Sequence, residues 1–166
     1  IHPDDLALLR EIESGMPVRI TIDEWRRARL TLSHSASHFL YAAVLEQRPE
    51  LLNWTIGCHI KEGAARFDFI VDDIFTADEV NDIEQAANRL IGCGLAILNE
   101  EVEGYYDARV WKYGDIQIPC GGTHLQTPHA IGHLQVRRKK LGKNKERLIC
   151  EFAQAEIDAS HYHHQV

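Results

Sequence analysis

No stretch of this 166-residue chain approaches the roughly 20 consecutive apolar residues that span a bilayer, and no segment reads as a secretory signal. Membrane insertion by a helix is therefore not expected. Cysteine is sparse: Cys58, Cys93, Cys120 and Cys150 are scattered, without the spacing of a small disulfide-stapled scaffold. They read as reduced thiols in a cytosolic protein. There is no internal repeat, and no low-complexity segment apart from the histidines at 161, 163 and 164. Positive charge is not in excess either. Lys and Arg number 18 against 25 Asp and Glu, a net charge of −7, which argues against a general coat for nucleic acid. Hydrophobic residues at 45% and charged residues at 26% are ordinary for a globular protein, and the length suffices for one domain with a core.

Against that background two short motifs stand out. His34-Ser35-Ala36-Ser37-His38 is HxxxH, and Cys120-Gly121-Gly122-Thr123-His124 is CxxxH. Positions i and i+4 share a helix face, so His34 and His38 can point at one ion, with Ser33 as a plausible N-cap. Pro119 interrupts the strand-like run before Cys120, and Gly121 and Gly122 permit a tight turn that folds Cys120 and His124 towards one point. Three imidazoles and a thiolate suit tetrahedral zinc. Each motif alone is weak, since HxxxH on an amphipathic helix is often ordinary packing; both in one short chain are stronger. The wide separation of the two pairs is unlike a zinc finger.

Periodicity indicates an α+β fold, an antiparallel sheet packed by two main helices. Residues 4–13 read as a short amphipathic helix, Val18, Ile20 and Ile22 as a short strand, and Asp23 as the cap of a turn leading to the His34 helix. Residues 1–29 thus form an N-terminal segment, 30–153 a main domain, and 154–166 a flexible tail. A hairpin is expected from 54–60 and 66–71, about a turn at Glu62-Gly63. Thr76-Ala77-Asp78-Glu79 is a capping box opening the best helix, which Gly92 and Gly94 end. Strands follow at 96–102, 109–111 and 116–118, with a loop at 104–106. A last hairpin joins 131–139 to 147–152. It carries Arg137, Arg138, Lys139, Lys140, Lys143, Lys145 and Arg147, seven of the 18 basic residues. That cluster is either a solvated lysine-rich tip or a local phosphate contact. His129 and His133 repeat the HxxxH spacing, but Pro128 and Gly132 disfavour a helix there. Cys58 and His59, adjacent on a strand, face opposite sides.

The order of His34-xxx-His38, Trp54-Thr55, Pro119-Cys120-Gly121-Gly122-Thr123-His124, Ile131-Gly132 and the basic hairpin resembles the editing domain of alanyl-tRNA synthetase. It resembles still more the free-standing alanyl-tRNA editing proteins, the AlaX family, over residues 16–152. The segment Ile22-Asp23-Glu24-Trp25-Arg26-Arg27 is similar to that family's approach to its first histidine. The resemblance implies the fold of the threonyl/alanyl-tRNA synthetase editing domain (second additional domain) and trans-acting hydrolysis of mischarged tRNA, chiefly seryl-tRNA(Ala) and also glycyl-tRNA(Ala). It implies zinc held by His34, His38, Cys120 and His124, a partner in the acceptor end of tRNA(Ala), and Thr55 in the amino-acid pocket reading the serine hydroxyl. It also makes residues 1–29 the tail of an upstream barrel. Where many members have Gly-Glu-Ile-Gly, this chain has His129-Ala130-Ile131-Gly132.

The residues themselves leave alternatives open. Thr55 also fits as a plain β-branched strand residue, and Thr123 either touches substrate or stabilises its turn. A site that hydrogen-bonds a hydroxyl can reject the hydroxyl-free analogue by roughly 10⁴-fold, which is the discrimination between serine and alanine. Two other functions use the same parts: a non-catalytic tRNA-binding module with structural zinc, and a metal-dependent hydrolase of small esters or amides.

Overall fold

A computed structural model describes residues 13–17, 19 and 21–160. The helix expected at 4–13 and the histidines at 161, 163 and 164 lie outside the described residues, apart from Glu13, which is not helical. So do Val18 and Ile20; of the strand expected there, Arg19, Thr21 and Ile22 have no regular structure.

The fold is α+β, with two long helices and antiparallel strands. Helix α1 runs unbroken over Glu24–Gln47. Its start is fixed by Asp23, whose Oδ1 accepts the Arg26 N–H at 2.9 Å. Ser33 is therefore not the N-cap that its place before His34 suggested. It lies inside the helix and is fully buried. The N-terminal segment read as ending at 29 shares its last residues with α1. The chain then makes a 3₁₀ turn at Pro49–Asn53 and enters β1 (Thr55–Lys61), which folds back through Glu62-Gly63 into β2 (Ala64–Ile70), with Lys61 opposite Ala64.

Helix α2 (Ala77–Cys93) opens on the expected capping box. Thr76 Oγ1 accepts the Glu79 N–H, and Glu79 Oε2 accepts the Thr76 N–H at 2.7 Å. Gly94, with φ +63°, ends it in the left-handed conformation that favours glycine. Next come β3 (Leu98–Val102), β4 (Tyr105–Tyr113) and β5 (Ile116–Pro119). The loop expected at 104–106 is only a tight turn. Gly104, at φ +82°, lets Tyr105 pair directly with Val102, so β4 is one nine-residue strand. The chain closes with β6 (Gln135–Gly142) and β7 (Lys145–Glu151).

The strands divide into two antiparallel sheets, β1-β2-β7-β6 and β3-β4-β5. Alternation along β2 and β7 sends Ala65, Phe67, Phe69, Leu148 and Cys150 inward and Arg66, Asp68, Arg147 and Ile149 outward. Helix α1 supplies Leu32, Phe39, Leu40 and Val44 to the core. Phe39 meets Trp111 and Tyr113 of β4 edge-on, at ring distances of 5.6 and 4.9 Å, so α1 packs against both sheets. Helix α2 ties down the start of β6 with polar side chains. Asn88 Nδ2 donates to the Leu134 carbonyl at 2.7 Å and its Oδ1 accepts the Leu134 N–H at 2.8 Å, while Glu84 accepts the Val136 N–H at 2.7 Å. No helix among the described residues is long and apolar enough to cross a membrane.

Candidate metal centre

Helix α1 carries His34 and His38 on one face, one turn apart, where they look towards the segment that follows β5. That segment, 120–126, is pinned at several points. The Cys120 N–H donates to the Arg109 carbonyl at 2.9 Å. Asn99 Nδ2 donates to the Gly122 carbonyl at 2.9 Å. The hydroxyls of Thr123 and Thr31 lie 3.1 Å apart. The Leu125 N–H donates to Ser35 Oγ at 2.9 Å. The loop is thereby held between β3, β4 and α1.

The result is a convergence of four side chains. The ligand atoms of His34, His38, Cys120 and His124 all lie within 4.8 Å of one another. Cys120 Sγ stands 3.4 Å from the Nε2 of both His34 and His124. Zinc at ordinary bond lengths in a tetrahedron would separate its ligand atoms by about 3.3–3.8 Å. Among the described residues no second group of three or more such donors converges. The HxxxH at His129 and His133 forms no α-helix: His129 lies in a 3₁₀ turn, Pro128–Ile131, that Gly132 ends before His133, and both residues are exposed.

The surroundings set the rings for ligation. His34 Nδ1 is 3.2 Å from the Thr123 carbonyl, so it carries the proton and donates it, leaving Nε2 free to bind. His124 Nδ1 is 3.3 Å from Ser35 Oγ, which holds that ring likewise. Burial is the main reason that the His38 pKa is lowered to about 2, helped by its neighbours His124 and His34. Burial, and then His34, lower His124 to about 3. Burial also lowers His34, against the opposing pull of the Thr123 carbonyl. All three are neutral imidazoles at neutral pH, the form that binds metal. His38 Nδ1 is buried with no hydrogen-bond partner. That orphan, and the soft nitrogen and sulfur donor set, fit a zinc-type ion.

Several contributors were not apparent in the sequence. A Cβ on Gly122 would stand 2.3 Å from His34 Cε1, so glycine is required for the ring to lie where it does. Trp111, fully buried, lies under His38 at a ring distance of 4.8 Å. The signal for Ser35 was present, as a small polar residue between two ligands, but its bonds to the loop depend on tertiary structure. Thr55, at the start of β1, donates from Oγ1 to the Leu51 carbonyl at 2.8 Å and lies 3.3 Å from the Tyr41 hydroxyl. Tyr41 stands at i+3 from His38 on the same helix, and its ring stacks on Phe67 at 4.7 Å. Cys58 and His59 take opposite faces of β1, Cys58 paired with inward Phe67 and His59 with outward Arg66.

Two hollows flank the cluster. One, of about 460 Å³, is lined by Arg27, Leu30, His34, Ile60 and residues 121–123. The other, of about 350 Å³, lies between Thr31, His124, Thr127 and the segment 156–158. The basic residues of the β6–β7 hairpin are not equivalent. Arg137 pairs with Glu151 at 2.7 Å, Arg138 with the buried Glu146 at 3.2 Å, and Arg147 with Asp68 at 2.6 Å. Lys139, Lys140, Lys143 and Lys145 are exposed and form no ion pair among the described residues.

No family model matches the chain. Among curated proteins it is similar to alanine–tRNA ligases. The one from Pseudothermotoga lettingae is 27% identical over 150 residues, 76% of this chain and 17% of that protein. The one from Streptococcus sanguinis is 28% identical over 179 residues, 93% of this chain and 20% of that protein. The one from Pseudoalteromonas translucida is 30% identical over 136 residues, 72% of this chain and 16% of that protein. The chain therefore spans between 16% and 20% of the length of these relatives.

Proposed function

We propose that this chain hydrolyses the aminoacyl ester of mischarged tRNA, chiefly seryl-tRNA(Ala), with zinc held by His34, His38, Cys120 and His124. The observation that carries the reading is the convergence of those four donors from α1 and the 120–124 loop. The similarity to a segment of alanine–tRNA ligases supports it, since a ligase that charges tRNA with alanine has a chemical need to remove serine. Zinc bound here would supply Lewis-acid polarisation of the ester carbonyl.

The chain's own residues do the rest. The Thr123 carbonyl and Ser35 hydroxyl keep the His34 and His124 rings oriented, so the ligand cage is formed before substrate arrives. Thr55 donates its own proton to the Leu51 carbonyl and accepts from the Tyr41 hydroxyl, so one lone pair remains as an acceptor. A serine side chain can donate to such an acceptor and an alanine side chain cannot. Phosphates of the acceptor end meet the unpaired lysines of the β6–β7 hairpin.

A second reading has its own observation. Four protein donors complete a tetrahedron, as structural zinc sites do, which favours a tRNA-binding module that keeps the ion only for stability. One experiment separates the two: deacylation of Ser-tRNA(Ala), Ala-tRNA(Ala) and Thr-tRNA(Thr), before and after chelation. Loss of serine with alanine spared, abolished by chelation, is the expected result. No turnover of any of the three with zinc confirmed in the protein would refute the deacylase.

A further inference from the structure

The four-stranded sheet has one face turned to the core and one turned to solvent. Register arranges the solvent face in rows. His59, Arg66, Ile149 and Arg137 cross the sheet from β1 to β6 in one row, and Gly57, Asp68, Arg147 and Lys139 in the next. Lys61 ends β1 on this face, and Lys145 begins β7 on it. The face therefore carries six cations, Lys61, Arg66, Arg137, Lys139, Lys145 and Arg147, against the carboxylates of Asp68 and Glu151. On a chain of net charge −7, that is a strong local reversal of sign.

The carboxylates organise the face as well as neutralising part of it. Asp68 accepts from Arg66 at 2.6 Å and from Arg147 at 2.6 and 2.8 Å, which holds two guanidinium groups together at the centre. Lys61, Lys139 and Lys145 have no ion pair among the described residues. A shallow depression lined by His59, Lys61, Arg66, Arg137 and Arg147 lies across β1, β2, β7 and β6.

We infer that this solvent face is the surface on which RNA docks, with the strand order leading the single-stranded end over the β1 edge to the metal centre. The inference rests on the proposed deacylase reading and adds to it where the tRNA lies. Three strand spacings separate β6 from β1, about 14 Å. Beyond β1 lies the hollow beside His34, whose wall includes Ile60, the residue preceding Lys61, and Arg27 of α1. Lys61 at the edge of the sheet and Arg27 on the wall of the hollow thus carry positive charge on either side of Glu62, whose carboxylate is taken up by Arg26 and Arg29 of α1. A flat row of cations suits a phosphodiester chain. Ile70 and Ile149 on the face are half-buried, and the exposed Leu141 stands alone at the end of β6, so cations and not an apolar surface dominate the face.

The test uses the zinc-loaded full chain and the triple variant Lys61→Glu, Lys139→Glu, Lys145→Glu, which breaks no ion pair. Binding of uncharged tRNA is followed by fluorescence anisotropy from 50 to 200 mM salt, alongside KM and kcat for Ser-tRNA(Ala). The expected result is binding at least 10-fold weaker at 50 mM, with a salt slope smaller by about three, and a raised KM with kcat within twofold of the parent. A triple variant that binds and turns over like an active parent overturns the docking surface and leaves the deacylase standing. A parent that binds tRNA through these lysines yet deacylates nothing keeps the surface and removes the deacylase. A parent that binds no tRNA even at 50 mM salt overturns the surface outright.

Discussion

At the scale of single residues, the cluster is set more by its neighbours than by its ligands. Gly122 has no room for a methyl group beside His34. Gly122→Ala should push that ring aside and lower zinc affinity at least 10-fold, read by competition with a chromophoric chelator. Ser35 serves both His124 Nδ1 and the Leu125 N–H. Ser35→Ala should cost roughly 10- to 100-fold in zinc affinity, the usual effect of removing an outer partner of a metal-bound histidine. It should also destabilise the chelated protein by about 1–2 kcal/mol, because the amide is left unpaired. The ligands themselves predict a pH dependence for the metal-free protein. His38 and His124 are lowered from 6.5 to about 2 and about 3, so the unfolded chain takes up their protons first as pH falls. Their contribution to stability is fully present above pH 6.5 and is lost steadily below it. Two such groups give a slope of roughly 2–3 kcal/mol per pH unit. Urea titrations of the chelated protein between pH 7 and 5.5 should show it, and bound zinc should not remove it, because the ion keeps the same rings unprotonated while the unfolded chain still takes up the protons. A flat profile in the chelated protein would mean that these rings are not buried.

At the scale of elements, legibility followed how local the cause was. The capping box of α2 and the two-residue turn between β1 and β2 are local chemistry, and the sequence placed both within a few residues. Helix α1 was misread at its start because a serine before an apolar run looks like a cap. Asp23 holds that role ten residues earlier, and nothing between breaks the helix. The three serines of α1 then divide by tertiary position. Ser37 Oγ donates to the His34 carbonyl at 2.7 Å, Ser35 serves the loop, and Ser33 Oγ is buried without a partner. An unpaired buried hydroxyl is unfavourable, and alanine is the better helix former. Ser33→Ala should therefore stabilise the protein by about 1 kcal/mol and raise its midpoint by about 2–4 °C, with zinc affinity unchanged. A fall in stability in calorimetry would mean that the hydroxyl has a partner. Strand β4 was likewise cut short in the sequence reading, because Gly104-Tyr105-Tyr106 looks like a loop. Tyr105 and Tyr106 are 69% and 98% exposed and give no burial signal; only the pairing of Tyr105 with Val102, past an irregular stretch at 106–108, shows that the strand already starts there.

At the scale of the whole molecule, the ligand pairs join parts that the backbone brings together by a long route. His34 and His38 stand on the helix that packs the four-stranded sheet. Cys120 and His124 follow β5, the edge of the three-stranded one. The quartet was legible because donor types survive in a sequence whatever the fold. The two-sheet division was not, since it depends on which strands pair. An ion shared by these four side chains would be a cross-link between the sheets, present only in the folded state. Its stabilisation grows as RT ln(1 + [Zn]/Kd), about 4 kcal/mol at 1,000-fold excess over Kd. Chelation should accordingly lower the thermal midpoint by several degrees. The loss of protection from hydrogen exchange should fall first on residues 120–126 and β5. The β1-β2-β7-β6 sheet carries its own core of Phe67, Phe69 and Leu148, and should keep its protection. Cys120→Ala should reproduce the chelated pattern without chelator. A midpoint and exchange map insensitive to both would show that the four side chains meet without sharing an ion, and the deacylase chemistry would lose its centre.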